Sequence, residues 1–152
     1  MKAALITGGA KRIGRAIVEA LAGDGYAVAI HHHRSHEAAA ALAAAIVARG
    51  GRAAALGCDL ASPDCAALVA QAAARVGPLT VLVNNASLFE RDEAASLTPE
   101  RFDRHMAVNA RAPALLAREF AAQARARSPP CGDRSAPASS SPLRRARTAR
   151  RC

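Results

Sequence analysis

Apolar and polar positions along the chain switch between two spacings, and each switch marks an element. Lys2 to Thr7 is a short apolar run closed by Gly8-Gly9; beyond it Ile13, Ala16, Ile17, Ala20 and Leu21 recur at helical spacing. The first pattern predicts a strand and the second a helix with one buried stripe. Gly23 and Gly25 stop that helix. Tyr26 to His31, short and partly β-branched, predicts a second strand buried on both faces. Ser35 is placed to cap a second helix, with Glu37 in its first turn where the dipole favours an acid, and Gly50-Gly51 end it. Arg52 to Gly57 predicts a weak third strand. Ser62-Pro63 joins a capping residue to proline at the first helical position, predicting a helix to about Val76, closed by Gly77-Pro78. Leu79 to Val83 carries the clearest strand pattern and stops at Asn84-Asn85. Thr98-Pro99 repeats the cap and proline, predicting a helix to about Gln123 with a break near Asn109 to Pro113.

Four strands alternating with four helices predict an α/β fold with a parallel sheet and right-handed crossovers. After Ala124 the pattern stops. Residues 124–152 hold four of the eight Pro, five Ser, eight Arg and no aromatic residue, which predicts a disordered basic tail. The organisation expected is therefore one domain over residues 1–123 and a tail over 124–152. Of the net charge of +9, the tail's eight Arg against Asp133 account for +7, so the body is nearly neutral. Apolar residues make up 51%, but 42 are Ala and only four residues are aromatic, so the core must pack with backbones close together. Ala38 to Ala48 is uncharged over 11 residues, and even the longest uncharged run, Val76 to Phe89, has 14, short of the roughly 20 a membrane span needs. The apolar run after Lys2 is half the length of a secretory signal core, which predicts a cytoplasmic protein. Cys58, Cys65, Cys131 and Cys152 lack C-x-x-C spacing and predict reduced, mostly buried thiols.

The chemistry concentrates where predicted strands end. Thr7-Gly8-Gly9-Ala10-Lys11-Arg12-Ile13-Gly14 joins the first strand to the first helix, where backbone N–H groups and the positive helix end can receive a diphosphate. About 20 residues further on, an acid at the end of strand two would bind ribose hydroxyls and select NAD. No acid stands there. His33, Arg34 and Ser35 instead offer an imidazole, a guanidinium and a hydroxyl suited to a 2′-phosphate, favouring NADPH over NADH. His31 and His32 are read as finishing the strand. Metal binding by His31, His32, His33 and His36 is disfavoured, because adjacent strand residues face opposite sides and no Asp, Glu or Cys completes a site. Cys58-Asp59-Leu60 follows strand three and Asn84-Asn85-Ala86-Ser87 follows strand four, both at the sheet edge where open α/β folds bind ligands. Asn85-Ala86-Ser87 also matches a glycosylation acceptor, which a cytoplasmic protein never uses.

The spacing Thr-Gly-x-x-x-Arg-x-Gly resembles the short-chain dehydrogenase/reductase fingerprint, with Arg12 where Gly is usual. Together with His-x-His-Arg-Ser and Asn-Asn-Ala-Ser-x-Phe it resembles the pteridine reductase branch of that family. The resemblance implies a Rossmann-type doubly wound sheet, here incomplete, that binds NADPH through Thr7, Gly8, Arg12, Ile13, Gly14, His33, Arg34 and Ser35, with Asp59 and Leu60 flanking the adenine. It implies further that Asn85, Ala86 and Ser87 border the cofactor, that Ser87 also bonds the substrate, and that Phe89 stacks on a pterin-like carbonyl or imine compound. A hydrophobic plug at the loop base is an equal reading of Phe89. Asn109 falls where the family places a helix-bending Asn that holds a proton-relay water. The resemblance ends near residue 123, before the family's Ser and Tyr-x-x-x-Lys; the chain's sole tyrosine is Tyr26 and its lysines are Lys2 and Lys11. The expectation is a truncated or frameshifted NADPH-dependent oxidoreductase without its acid, and losing a general acid typically costs ~10² to 10⁴ in rate. Two other readings stand beside it. One is a non-catalytic NADPH-binding module. The other, ranked last for want of aromatic stacking residues, is nucleic-acid binding through Arg144, Arg145, Arg147, Arg150 and Arg151. Family members assemble through the fourth and fifth helices, so absence of the fifth argues against a homo-oligomer.

Overall fold

A computed structural model describes residues 2–90, 93 and 95–127. Strand β1 (Ala3–Ile6) leads through the glycine turn to helix α1 (Arg12–Gly23), followed by β2 (Ala27–His32), α2 (His36–Ala48) and β3 (Ala53–Gly57). A 3₁₀ turn over Pro63–Ala67 opens into α3 (Leu68–Val76), and β4 (Val81–Val83) follows. The last predicted helix comes in two pieces, α4 (Pro99–Met106) and α5 (Ala112–Arg127), joined by a π-helical turn over Ala107–Arg111. Pro113 explains the break: it has no N–H to give the Asn109 carbonyl, so the α-helical ladder cannot run through unchanged.

The strands form one parallel sheet in the order β3-β2-β1-β4, in register from Ala3 opposite Ala27 to Ile6 opposite Ile30. Period-two alternation splits the core between its faces. Ala3, Leu5, Ala27 and Ala29 pack with Leu68, Ala72 and Val76 of α3 and Leu116 of α5. Ala4, Ile6, Val28 and Ile30 pack with Val18 of α1 and Leu42 and Ile46 of α2. Small residues along β1 and β2 let helices on both faces lie close to the sheet, as the alanine-rich composition predicts. The α/β prediction holds in element order and direction.

Details differ in instructive ways. Ser62 and Thr98 cap as expected, each hydroxyl accepting from a backbone N–H, of Asp64 at 3.2 Å and Arg101 at 3.4 Å. Ser35 occupies the cap position of α2 but makes no capping bond. β4, the strongest pattern in the sequence, has only three residues and all are half-buried. Among the described residues it pairs with β1 alone, and a parallel strand is buried fully only when flanked on both edges. Helix α5 continues past Ala124 to Arg127. The remainder of the predicted basic tail, with Cys131 and Cys152, lies outside the described residues. No helix of the described residues is long and apolar enough to cross a membrane.

Candidate functional site

Between β1 and β4 the sheet order reverses, and the loops leaving their C-terminal ends diverge to opposite faces, which opens a crevice there. A cavity of about 440 Å³ fills it, walled by the glycine turn, the ends of β2 and β3, the loop after β4, and Arg104 and Val108 above. An adjoining space of about 350 Å³ shares Gly8, Lys11, His33 and Arg104 and adds His32, Arg34 and Ser35.

The turn is shaped by what it touches. Gly8 has φ +64°, and a Cβ there would stand 3.0 Å from the Ala86 backbone. A Cβ on Gly14 would collide with the Gly8 carbonyl oxygen, so α1 can start against the turn only with glycine at that position. Lys11 precedes α1 without a side-chain cap, and the first bond of the helix runs from the Arg15 N–H to the Lys11 carbonyl at 3.2 Å. The opening amides of α1 therefore face the cavity with the positive end of the dipole behind them. Arg12 adopts φ 51°, the one left-handed non-glycine residue among those described.

A polar knot ties this turn to the loop after β4. The Thr7 hydroxyl donates to the Val83 carbonyl at 3.3 Å and accepts from the N–H groups of Asn85 and Ala86, both at 3.0 Å. Asn85 Nδ2 donates to the Thr7 and Gly8 carbonyls at 2.9 and 3.3 Å. From the π turn, Asn109 grips Leu88 at both ends: its Oδ1 accepts from the Leu88 N–H and its Nδ2 donates to the Leu88 carbonyl, each at 2.8 Å. Thr7 and Asn109 thus stand behind the cavity wall and shape it.

Of the residues singled out in the sequence, Gly8, Arg12, Ile13, Gly14, His33, Asp59, Leu60, Asn85, Ala86 and Ser87 line the larger cavity, and Arg34 and Ser35 line the adjoining one. Phe89 lines neither and is 88% exposed. Sequence reasoning missed Lys11, His31, Leu88, Arg104 and Val108, all on the cavity wall. Lys11 sits inside the glycine motif and could have been read from it. Arg104 carries no such signal, since only the path of α4 brings it over the crevice.

The electrostatics favour an anion. Lys11, Arg12, Arg34 and Arg104 surround the two spaces and outnumber the acids on their walls, Asp59, which stands 3.9 Å from His33 Nε2, and Glu90, which shares the adjoining space with Arg34. One Asp59 oxygen is held by the Ala61 N–H at 2.9 Å. Burial, reinforced by Cys65, pushes the Cys58 thiol up, so Cys58 stays protonated and unreactive at neutral pH. Among the described residues no group of three or more His, Cys, Asp and Glu could hold a metal ion. Open helix amides, a glycine cradle and cations spaced along a crevice fit a phosphorylated dinucleotide, and no acid stands at the end of β2 to repel a 2′-phosphate.

The family of short chain dehydrogenases matches residues 2–129. The structure of FolM alternative dihydrofolate reductase 1 from Brucella suis, in complex with NADP, superposes with a TM-score of 0.75 at 45% identity, covering 78% of this chain and 50% of that one. A blue fluorescent protein from a metagenomic library, in complex with NADPH, superposes with a TM-score of 0.77 at 38% identity over 80% of this chain and 50% of that one. Versicolorin reductase 1 of Aspergillus parasiticus is 36% identical over 119 residues, 78% of this chain and 45% of its own length. The chain spans about half the length of the relatives it matches. By fold, by the glycine turn and by the extent of the match, this chain belongs to the short-chain dehydrogenase/reductase family.

Proposed function

We propose that this chain is an NADPH-binding unit of a reductase acting on pterin-like carbonyl or imine compounds, and that these 152 residues by themselves bind NADPH without turning over. The observation that carries the reading is the pairing, across adjoining cavities, of the open N-terminus of α1 with His33, Arg34 and Ser35 at the end of β2. The α1 amides would hold the diphosphate, while Arg34, with His33 and Ser35, would hold the 2′-phosphate. When bound, the nicotinamide supplies a hydride. Ser87 and Leu88 would border its ring, on a loop after β4 that Thr7 holds at Ala86 and Asn109 holds at Leu88. Phe89, next on that loop and exposed, is free to meet a flat substrate. A relative named as a dihydrofolate reductase supports this substrate class. The missing step is proton delivery, because Tyr26 opens onto β2 and no Tyr-x-x-x-Lys occurs in the sequence.

Titration calorimetry with NADPH and NADH tests the proposal. NADPH binding about tenfold or more tighter than NADH is expected, as one lost charge-assisted contact allows. Equal affinities, or no binding by a folded chain, would overturn it. A second arm adds a dihydropteridine to the loaded chain and follows nicotinamide absorbance; sustained oxidation would refute the claim that turnover needs residues this chain lacks.

A further inference from the structure

His31 looks, in the sequence, like the last residue of a strand. It is 2% exposed, and its ring lies among three strand ends at once. Nδ1 faces the Gly8 N–H at 3.2 Å, Nε2 faces the Cys58 carbonyl at 3.0 Å, and the main-chain carbonyl of His31 accepts from the Gly9 N–H at 3.0 Å. A backbone N–H can only donate and a carbonyl can only accept, so the partners dictate the ring's state. It is neutral, bare at Nδ1 and protonated at Nε2. One residue thereby takes both amides of the Gly8-Gly9 turn and ties them to the end of β3. Those two amides are then unavailable to an anion, which leaves the opening amides of α1 to receive it.

We propose that His31 is a positioning residue for dinucleotide binding: its neutral ring holds the glycine turn in the shape that aims the α1 amides at the diphosphate. The proposal rests on the NADPH reading above. Protonating Nδ1 would set two donors against each other across 3.2 Å and release the Gly8 amide. Burial, helped by the neighbouring His32 and His33, lowers the readiness of His31 to protonate, against the raising effect of its bond to Cys58. Lys11, Arg12 and Arg104 line the same cavity and oppose a further positive charge, while Asp59 beside His33 would favour one. The unfolded chain protonates this histidine near the ordinary value of about 6.5, and the folded chain only below it. Between those values the unfolded state holds more protons, so the stabilisation is complete above the ordinary value and is lost as pH falls beneath it.

The test has two readouts on the full chain. The first is a nitrogen-15 NMR titration of the imidazoles without cofactor, which should show His31 as the Nε2–H tautomer, with the Gly8 amide resonance moving on the same acid limb. The second is NADPH affinity, by fluorescence, for the wild type, His31→Asn and His31→Leu at mildly alkaline and mildly acidic pH. Asparagine keeps an acceptor on the γ-carbon at the place of Nδ1 and cannot be protonated there. It should bind like the wild type in alkali and keep its affinity in acid, where the wild type loses about tenfold. Leucine should lose about tenfold at both pH values. An Nδ1–H tautomer, a Gly8 amide indifferent to His31 titration, or an acid loss shared by the asparagine variant would each overturn the proposal. If leucine yields no folded protein, the tautomer and the asparagine comparison decide. A wild type that binds no NADPH in alkali would refute the cofactor reading alone, and the NMR titration would still judge whether His31 holds the turn.

Discussion

Arg12 occupies a backbone conformation, φ 51°, that costs a side-chain-bearing residue about 1 to 2 kcal/mol relative to glycine. Such strain persists where the side chain has work that glycine could not do. Arg12 lies on the cavity wall at the mouth of α1, where a positive charge reinforces the field of the helix N-terminus. Arg12→Gly should therefore move two properties in opposite directions. Urea unfolding should gain up to about 1 kcal/mol, and NADPH affinity should fall by about fivefold to tenfold. A variant that loses stability would show that the positive φ is not costly here. Arg34 offers a cleaner discrimination, since it lines only the space next to Ser35. Arg34→Ala should weaken NADPH by about tenfold or more in calorimetry and leave NADH unchanged. The place of Gly14 against the turn and of Arg34 on the wall of the adjoining space could be read from the sequence because a local motif sets both. His31 could not. A strand pattern says which face a residue takes, and only the three-dimensional convergence of β1, β2 and β3 shows that its ring meets Gly8 and Cys58.

Two amide side chains, Asn109 on Leu88 and Gln123 on Leu79, act in the elements as short pieces of backbone. Gln123 of α5 accepts from the Leu79 N–H at 3.0 Å through Oε1 and donates to the Leu79 carbonyl at 3.3 Å through Nε2. The pairing fastens the far end of α5 to the entry of β4. It also accounts for the shortness of that strand, since Leu79 is bonded to a helix and Thr80 pairs with Ala3 partly through its hydroxyl, at 3.1 Å. Gln123→Ala leaves Leu79 without either partner and should destabilise the chain by about 1 to 2 kcal/mol in thermal or urea unfolding. Gln123→Glu, which keeps an acceptor and loses the donor, should fall between the two. An alanine variant as stable as the wild type would mean that water replaces the clamp at no cost. Glycine and proline punctuation made β1, α1, β2, α2 and α3 legible, because each boundary has a local cause. β4 read as a longer strand because four of the five residues from Leu79 to Val83 are apolar, and periodicity cannot reveal that its first residue belongs to Gln123.

At the scale of the molecule, the sheet is most buried at β1 and β2 and half-buried at β4, and the site sits at that transition. The half of the fold that relatives share with this chain was legible in outline because parallel strands with helical crossovers allow few arrangements. The crevice followed from the strand order, yet its walls combine residues as distant in sequence as Lys11 and Arg104. Such a site links cofactor binding to stability in a spatially specific way. A ligand that binds only the folded chain stabilises it by about 2.7 kcal/mol at a hundredfold excess over Kd, so NADPH should raise the melting midpoint and NADH should do so less. The gain has to be carried by groups that the dinucleotide touches or that share a knot with them. Thr7 and Asn85 tie the turn after β1 to the loop after β4. Hydrogen exchange should therefore slow upon loading along residues 8–14 and 84–88, with little change at the far end of α2 or in the 3₁₀ turn over Pro63–Ala67. Slowing spread evenly over the chain would indicate that NADPH merely suppresses global unfolding. Slowing confined to residues 8–14 would mean that the Thr7 and Asn85 bonds do not couple the two loops, leaving the wall that should border the nicotinamide unsupported.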